Sequence, residues 1–342
     1  MKALIGMSGG VDSSVAAYLL KNQGYECIGA TMHLYTENSS DIADAKSVSE
    51  KLSIPFKVLD FSDDFSSLVV DRFVREYIEG KTPNPCVDCN RYIKWRKMFE
   101  EAKKLGADFV ATGHYARVER AEDGKFLLKK GKDISKDQSY VLYNMTQEQL
   151  SHTLFPLGGF SKAEIRKIAE REGFINAHRK DSQDICFIPD GDYASFIERY
   201  GDYKSKEGDY VNLAGEVIGR HKGIIHYTIG QRKGLGVAFG KPQFVVSKCA
   251  ENGTVTLADE DALFCDSLTA EDFNFISGEA PSEPIRVTAK TRYSQKMSDA
   301  TLFPPENGRV KVVFDTPQRA ITAGQSVVIY DGDILLGGGK II

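Results

Sequence analysis

Short apolar runs alternate with amphipathic stretches from the first residue to about residue 115. Lys2-Ala-Leu-Ile-Gly6, Glu26–Met32, Phe56–Phe61 and Asp108–Thr112 read as strands. Val15–Leu20, Ser39–Leu52, Phe65–Glu79 and Asn90–Leu105 read as helices. That alternation predicts an α/β domain, a parallel sheet with helices on both faces and a ligand site at the carboxyl ends of its strands. Residues 115–135 read as a charged hairpin turning at Glu122-Asp-Gly124, and 138–200 as mainly helical, most clearly Lys162–Glu172 and Asp192–Tyr200. After Gly201 the texture becomes short β segments between Gly, Asn and Asp clusters: Ile224–Ile229, Phe244–Lys248, Thr254–Leu257, Ile285–Thr291, Val310–Phe314 and Ser326–Asp331. Such spacing predicts small barrels or sandwiches. The expected division is an α/β domain at 1–200, a β-rich domain at 201–275 and a barrel-like domain at 276–342, with Ser277–Pro284 as a linker.

The chain has 342 residues, enough for two or three cored domains, and a net charge of −4. A nucleic-acid partner would therefore have to be met by a local basic patch. Six cysteines are too few for a disulfide framework at this length. No apolar run approaches the roughly 18–20 residues that span a bilayer, and the chain opens directly in a core strand. The expectation is a soluble, cytoplasmic protein with reduced thiols and no membrane partner.

Ser8-Gly-Gly-Val-Asp12-Ser-Ser14 joins the first strand to the first helix. Free N–H groups and the helix dipole make such a junction an anion cradle. Gly9 and Gly10 admit a phosphate, Ser8, Ser13 and Ser14 add hydroxyls, and Asp12 is expected to hold Mg2+. Neither a Walker lysine nor a G-x-G-x-x-G helix opening is present here, and Gly234-Leu-Gly236 has no helix after it. The string instead resembles the PP-loop of ATP pyrophosphatases, which cleave ATP to AMP and pyrophosphate.

Thr82-Pro-Asn-Pro-Cys86-Val-Asp-Cys89-Asn-Arg91 is the second dense constellation. Its prolines predict a loop, with Asn90 or Asp88 capping a helix that begins near Arg91. A thiol at a helix start beside Arg91 and Lys94 is expected to have a lowered pKa. Cys186 reads as part of a short apolar strand flanked by polar turns, as a buried packing residue. A structural zinc site would need four ligands, and a thioredoxin-like pair a different fold. Cys27, Cys249 and Cys265 read as core or incidental residues.

Ser8–Ser14, Asn84-Pro-x-x-x-Cys89-Asn, Ala111-Thr-Gly-His114-Tyr and Lys136-Asp-Gln-Ser-Tyr140 together resemble one family. So do Ser182-Gln-x-Ile-Cys186-Phe-Ile, Gly223-Ile-x-His226-Tyr-Thr-Ile-Gly-Gln-Arg-Lys-Gly234-Leu and Phe314-Asp-x-Pro-Gln-Arg-Ala320. That family is the tRNA-specific 2-thiouridylases, which put sulfur in place of O2 of the wobble uridine. The resemblance runs along essentially the whole chain. It implies an adenine nucleotide α-hydrolase-like PP-loop domain at 1–200 and a tRNA-binding β domain at 201–275. ATP would lie on Gly6, Met7, Ser8, Gly9, Gly10, Val11, Asp12 and Ser13, with Met32 and Gly113 beside it. Asn84, Pro85 and Cys86 match target-base positions, Cys89 the nucleophile, and Cys186 the carrier of a persulfide supplied by a cysteine desulfurase or sulfur relay protein. His114, Lys136, Asp137, Gln138, Arg292, Tyr293 and Gln325 match tRNA contacts. Two lysine- and arginine-rich clusters, at 125–136 and 91–97, read equally as RNA contacts or solvated faces.

Many family members carry Asp where this chain has Cys86. Three cysteines, Cys86, Cys89 and Cys186, are the ligand count of a [4Fe–4S] cluster with one open iron, so a cluster route is the expected alternative to a persulfide. A different PP-loop synthetase would have no use for Cys89 and Cys186, and a nucleotide-dependent RNA-binding module would release no pyrophosphate.

Overall fold

The computed structural model describes residues 1–35, 39–179, 185–237 and 240–342. Its first sheet is parallel, built from β1 (Lys2–Gly6), β2 (Glu26–His33), β3 (Phe56–Asp60), β4 (Phe109–Thr112) and the two-residue β7 (Thr153–Leu154), in the order β3-β2-β1-β4-β7. β1 is buried on both faces: Leu4 points into one apolar cluster, Ala3 and Ile5 into the other. Because β2 and β4 flank β1 on opposite sides, the strand order reverses there, and the crevice at its carboxyl end is the natural ligand site. The predicted strands and the helices at Val11–Asn22 (α1) and Ser39–Lys51 (α2) stand where the pattern put them.

The cysteine segment differs from expectation. The helix begins at Pro85, five residues before the predicted start at Asn90, and continues through 104. Asn84 is the cap, its side chain accepting the Cys86 N–H at 3.1 Å, and Pro85 takes the first helical position, where a missing N–H costs nothing. Cys86 and Cys89 therefore lie on a helix and not on a loop. Over Cys89–Lys97 this helix widens to π winding. Cys186, expected in a strand, sits in a turn in which Ile188 N–H donates to the Ile185 carbonyl at 2.8 Å. Phe187, whose apolar character suits a strand, instead plugs a cluster of Phe65, Phe73 and Phe196.

Two β assemblies follow. β8 (Gly208–Val211), β9 (Val217–His221), β10 (Phe244–Cys249) and β11 (Thr254–Ala258) form a four-stranded sheet, and Ile224–His226 is a single 3-10 turn instead of the expected strand. β12 (Phe264–Phe275), β13 (Ile285–Lys290), β14 (Ser298–Leu302), β15 (Val310–Arg319), β16 (Ser326–Asp331) and β17 (Ile334–Ile341) close into a six-stranded barrel through the β12–β17 pairing. The barrel thus takes in β12, which the sequence reading left in the middle domain, and Ser277–Pro284 connects two barrel strands. The predicted hairpin, β5 (Ala116–Arg120) and β6 (Phe126–Lys130), leaves the first sheet and extends the barrel from β17.

The barrel also grips the cysteine helix. Thr82 N–H donates to the Ala323 carbonyl at 2.9 Å, Gln325 Nε2 to the Thr82 carbonyl at 2.6 Å, and Arg91 pairs with Asp272. Buried Glu76, on the preceding helix, pairs with Lys340. The Asn84 cap predicts a measurable cost: Asn84→Ala should lower stability by about 1 kcal/mol, read as a shift in denaturant midpoint at unchanged slope.

Candidate functional site

The phosphate loop is held from several sides. Met7 N–H donates to the Ala30 carbonyl at 2.8 Å, and Thr31 Oγ1 donates to the Met7 carbonyl at 2.7 Å. Gly9 has φ +72°, and a Cβ there would lie 2.6 Å from the Asp41 carbonyl oxygen, so only glycine fits. Gly10 is the extended N-cap of α1, and Val11 its buried first residue. Ser13 Oγ accepts the Ser8 N–H at 3.1 Å and donates to the Gly10 carbonyl at 3.0 Å, while Ser14 Oγ donates to the same carbonyl at 3.1 Å. These two hydroxyls shape the loop from inside it, whereas Ser8 is exposed at its mouth. Asn176, which sequence reasoning missed, donates to the Gly9 carbonyl at 2.7 Å and to Ser14 Oγ at 2.9 Å.

Asp12 is not open to an ion in this state. Its carboxylate accepts Lys162 Nζ at 2.7 and 2.8 Å and the Tyr115 hydroxyl at 2.8 Å. The expected magnesium ligand is therefore paired with a nearly buried ammonium. The Ser161-x-x-Glu164 capping box announced the helix that carries Lys162, but not the partner it reaches.

The thiols converge as expected, with a different electrostatic outcome. Cys86, Cys89 and Cys186 lie within range of one another's charge, and Lys94 acts on all three. Burial pushes Cys89 up to about 12 and Cys186 up to about 11, and raises Cys86; Lys94 opposes each shift without overcoming it. The predicted lowering of a helix-start thiol is overturned because desolvation outweighs the nearby cation. Cys89 is 9% exposed, whereas Cys86 and Cys186 are exposed. Both thiols reach the surface, yet the atoms packed around them raise their pKa values. The π winding places Lys94 one wide turn after Cys89 on the same face. Arg91, Arg96 and Lys97 on this helix are paired with carboxylates, while no carboxylate among the described residues pairs with Lys94.

One residue pair joins the two halves. A Cβ on Gly113 would lie 2.9 Å from Asp12 C and Ser13 N, so the end of β4 touches the phosphate loop. The next residue, His114, feels the charge of Lys94. Met32 is half-buried at the carboxyl end of neighbouring β2. Among the described residues, no group of three or more His, Cys, Asp or Glu side chains is arranged to hold a metal ion. The three thiols share one electrostatic neighbourhood.

Family profiles match the chain from end to end: a tRNA methyl transferase HUP domain over 1–190, a tRNA methyl transferase PRC-barrel domain over 194–259 and an aminomethyltransferase β-barrel domain over 265–341. The tRNA-specific 2-thiouridylases of Acetivibrio thermocellus and Clostridioides difficile are each 51% identical to it, covering 99% of this chain and 99% and 98% of theirs. That of Clostridium beijerinckii is 50% identical over 99% of this chain and 98% of its own. The chain belongs to the tRNA-specific 2-thiouridylase family.

Within this 2-thiouridylase fold, the residues matched to tRNA contacts divide. Tyr293 is 41% exposed, lies within charge range of Cys86 and donates its hydroxyl to the Asp137 carbonyl at 3.1 Å, which brings the 136–138 segment to the thiols. Asp137 is buried and accepts from Gly131 N–H at 3.1 Å and Ser139 Oγ at 2.9 Å; Gln138 Oε1 accepts the Tyr115 N–H at 3.0 Å. One terminal nitrogen of Arg292 donates to the Ile229 and Ala320 carbonyls, each at 3.1 Å, and Gln325 donates to the Thr82 carbonyl. His114 is only 7% exposed, packed by Trp95 and Phe155, with Nδ1 2.7 Å from Thr112 Oγ1. Lys136 is half-buried beside these residues, and Ser182 and Gln183 of the motif before Cys186 lie outside the described residues.

Burial holds His114 neutral. The unfolded chain takes up that proton near pH 6.5, so stability is present above that pH and is lost as pH falls below it. His114→Gln should reduce the acid-side slope of unfolding free energy by up to one proton. A thiol raised to about 12 is also slow to alkylate: Cys89 should react with iodoacetamide at pH 7.5 roughly 1000-fold slower than an unburied cysteine. Lys94→Met should slow it further and Lys94→Arg should not, as read by differential labelling and mass spectrometry.

Proposed function

We propose that this chain thiolates O2-adenylated wobble uridine in tRNA, using ATP for the adenylation and a Cys186 persulfide for the sulfur. The contact of Gly113 with the phosphate loop, one residue from the histidine that borders the thiol site, carries this reading. An activated oxygen and a sulfur nucleophile must meet at one carbon, and the link from the loop through Gly113 and His114 to Lys94 supports that reading.

A uridine C2 carbonyl resists substitution because oxide does not leave. Joining O2 to the α-phosphate turns the leaving group into AMP. The loop N–H groups at Gly9, Gly10 and Val11, with Ser8 Oγ, would hold the departing pyrophosphate, and Met32 would border the adenine. Lys162 would exchange its hold on Asp12 for the phosphates, leaving Asp12 for the magnesium that accompanies ATP. Asn84, Pro85, Cys86 and Tyr293 would receive the base, extruded from the anticodon loop. Lys136 and the loop at 228–237 are the basic surfaces for the backbone.

The terminal sulfur of the Cys186 persulfide attacks C2, and AMP leaves with the uridine oxygen. Cys89 Sγ then attacks Cys186 Sγ, the bond from Cys186 to the transferred sulfur breaks, and C2 keeps that sulfur as 2-thiouridine. A Cys89–Cys186 disulfide results, two electrons more oxidised than the starting thiols, and an external thiol must reduce it. Wild type should release pyrophosphate only with tRNA present and should place 2-thiouridine in the digested product. Cys89→Ser and Cys186→Ser should each abolish 2-thiouridine while ATP affinity stays within about 2-fold, since the proposed ATP contacts include neither cysteine. An enzyme that remains active with both serines would be another kind of PP-loop synthetase.

A further inference from the structure

Resting on that reading, the geometry points to Cys86 as a resolving thiol: it takes Cys89 out of the Cys89–Cys186 disulfide and presents the resulting Cys86–Cys89 pair to the external reductant. Cys86 and Cys89 stand three residues apart on the capped helix start. Such positions have Cα atoms about 5 Å apart, inside the roughly 4.4–6.8 Å that a disulfide spans. All three sulfurs share one electrostatic neighbourhood. Their access differs: Cys89 is 9% exposed and beyond the reach of a bulky reductant, while Cys86 is exposed. Cys186 is exposed as well, on a turn anchored by buried Phe187.

The exchange conserves electrons. Cys86 thiolate attacks Cys89 Sγ, the Cys86–Cys89 bond forms, the Cys89–Cys186 bond breaks, and Cys186 leaves as a thiolate that takes up a proton. A dithiol reductant then attacks exposed Cys86 Sγ, releases Cys89 beside the Lys94 ammonium, and closes to its own disulfide. The consequence is a division of labour. Cys186 is free to be reloaded with sulfur while the oxidising equivalents wait on the helix. An aspartate at position 86 cannot do this, so the cysteine gives this chain a reduction route that an Asp-x-x-Cys helix lacks.

The test uses the full chain. After one turnover of enzyme preloaded with persulfide on Cys186, with ATP, magnesium and tRNA and in the absence of reductant, alkylation and disulfide mapping should find Cys86 joined to Cys89 and Cys186 alkylated. Cys86→Ser should instead trap Cys89–Cys186. With dithiothreitol present, its steady rate should fall below its own first-turnover burst by roughly 10-fold more than in wild type. Diamide oxidation of the free protein should give the same Cys86–Cys89 pair without any substrate. Wild type that retains Cys89–Cys186 in both experiments, or a Cys86→Ser protein with a wild-type ratio of steady rate to burst, would overturn the assignment. Failure of the thiolation reading looks different: no variant makes 2-thiouridine, yet diamide still pairs Cys86 with Cys89.

Discussion

A Cβ at residue 113 would lie 2.9 Å from two backbone atoms of the phosphate loop, and the rest of the site is built out from that close approach. β1 and β4 are adjacent and parallel, so their carboxyl ends emerge side by side at the reversal of strand order. Glycine at 113 lets β4 run against α1, Tyr115 then reaches Asp12, and His114 turns inward toward Trp95 and the helix bearing the thiols. The barrel closes the other side through Thr82, Arg91 and Lys340. The glycine-serine loop and the cysteine helix are thereby linked through a few residues at one strand end.

The second governing effect is desolvation. Helix-start position and a nearby lysine both favour a thiolate, yet burial of Cys89 dominates and keeps it protonated. On the proposed route, in which Cys89 acts only after the persulfide sulfur has been transferred, that balance would protect a loaded persulfide from early attack by an ionised Cys89. Lys94, without a carboxylate partner among the described residues, opposes the shift only in part.

Much of the first domain was legible because its strands are continuous apolar runs between helical periods. The phosphate loop was legible for the same kind of local reason. What pattern could not supply was tertiary. Asn84 as a cap and Pro85 as a first helical residue follow known rules, but the prolines also fit a loop, and only packing decides between them. The cysteine in Ile185-Cys-Phe-Ile188 looked like part of a strand because Phe187 is needed in an aromatic cluster. Lys162 and Asn176 reach the loop from remote segments, which no spacing reveals. Arg292 and Gln325 look like surface polar residues in sequence, yet their hydrogen bonds hold the protein's own backbone. The hairpin at 116–130 was recognised by its turn, whereas its pairing with β17 depends on the barrel.

The central claim is that a single site activates a uridine oxygen and replaces it with sulfur. Oxygen-18 placed at O2 of the wobble uridine tests it most directly, by mass spectrometry of the AMP formed in one turnover. The label should appear in the phosphate of AMP, in proportion to the 2-thiouridine made. Unlabelled AMP accompanying thiolated tRNA would show that the oxygen leaves by another route and would contradict the account.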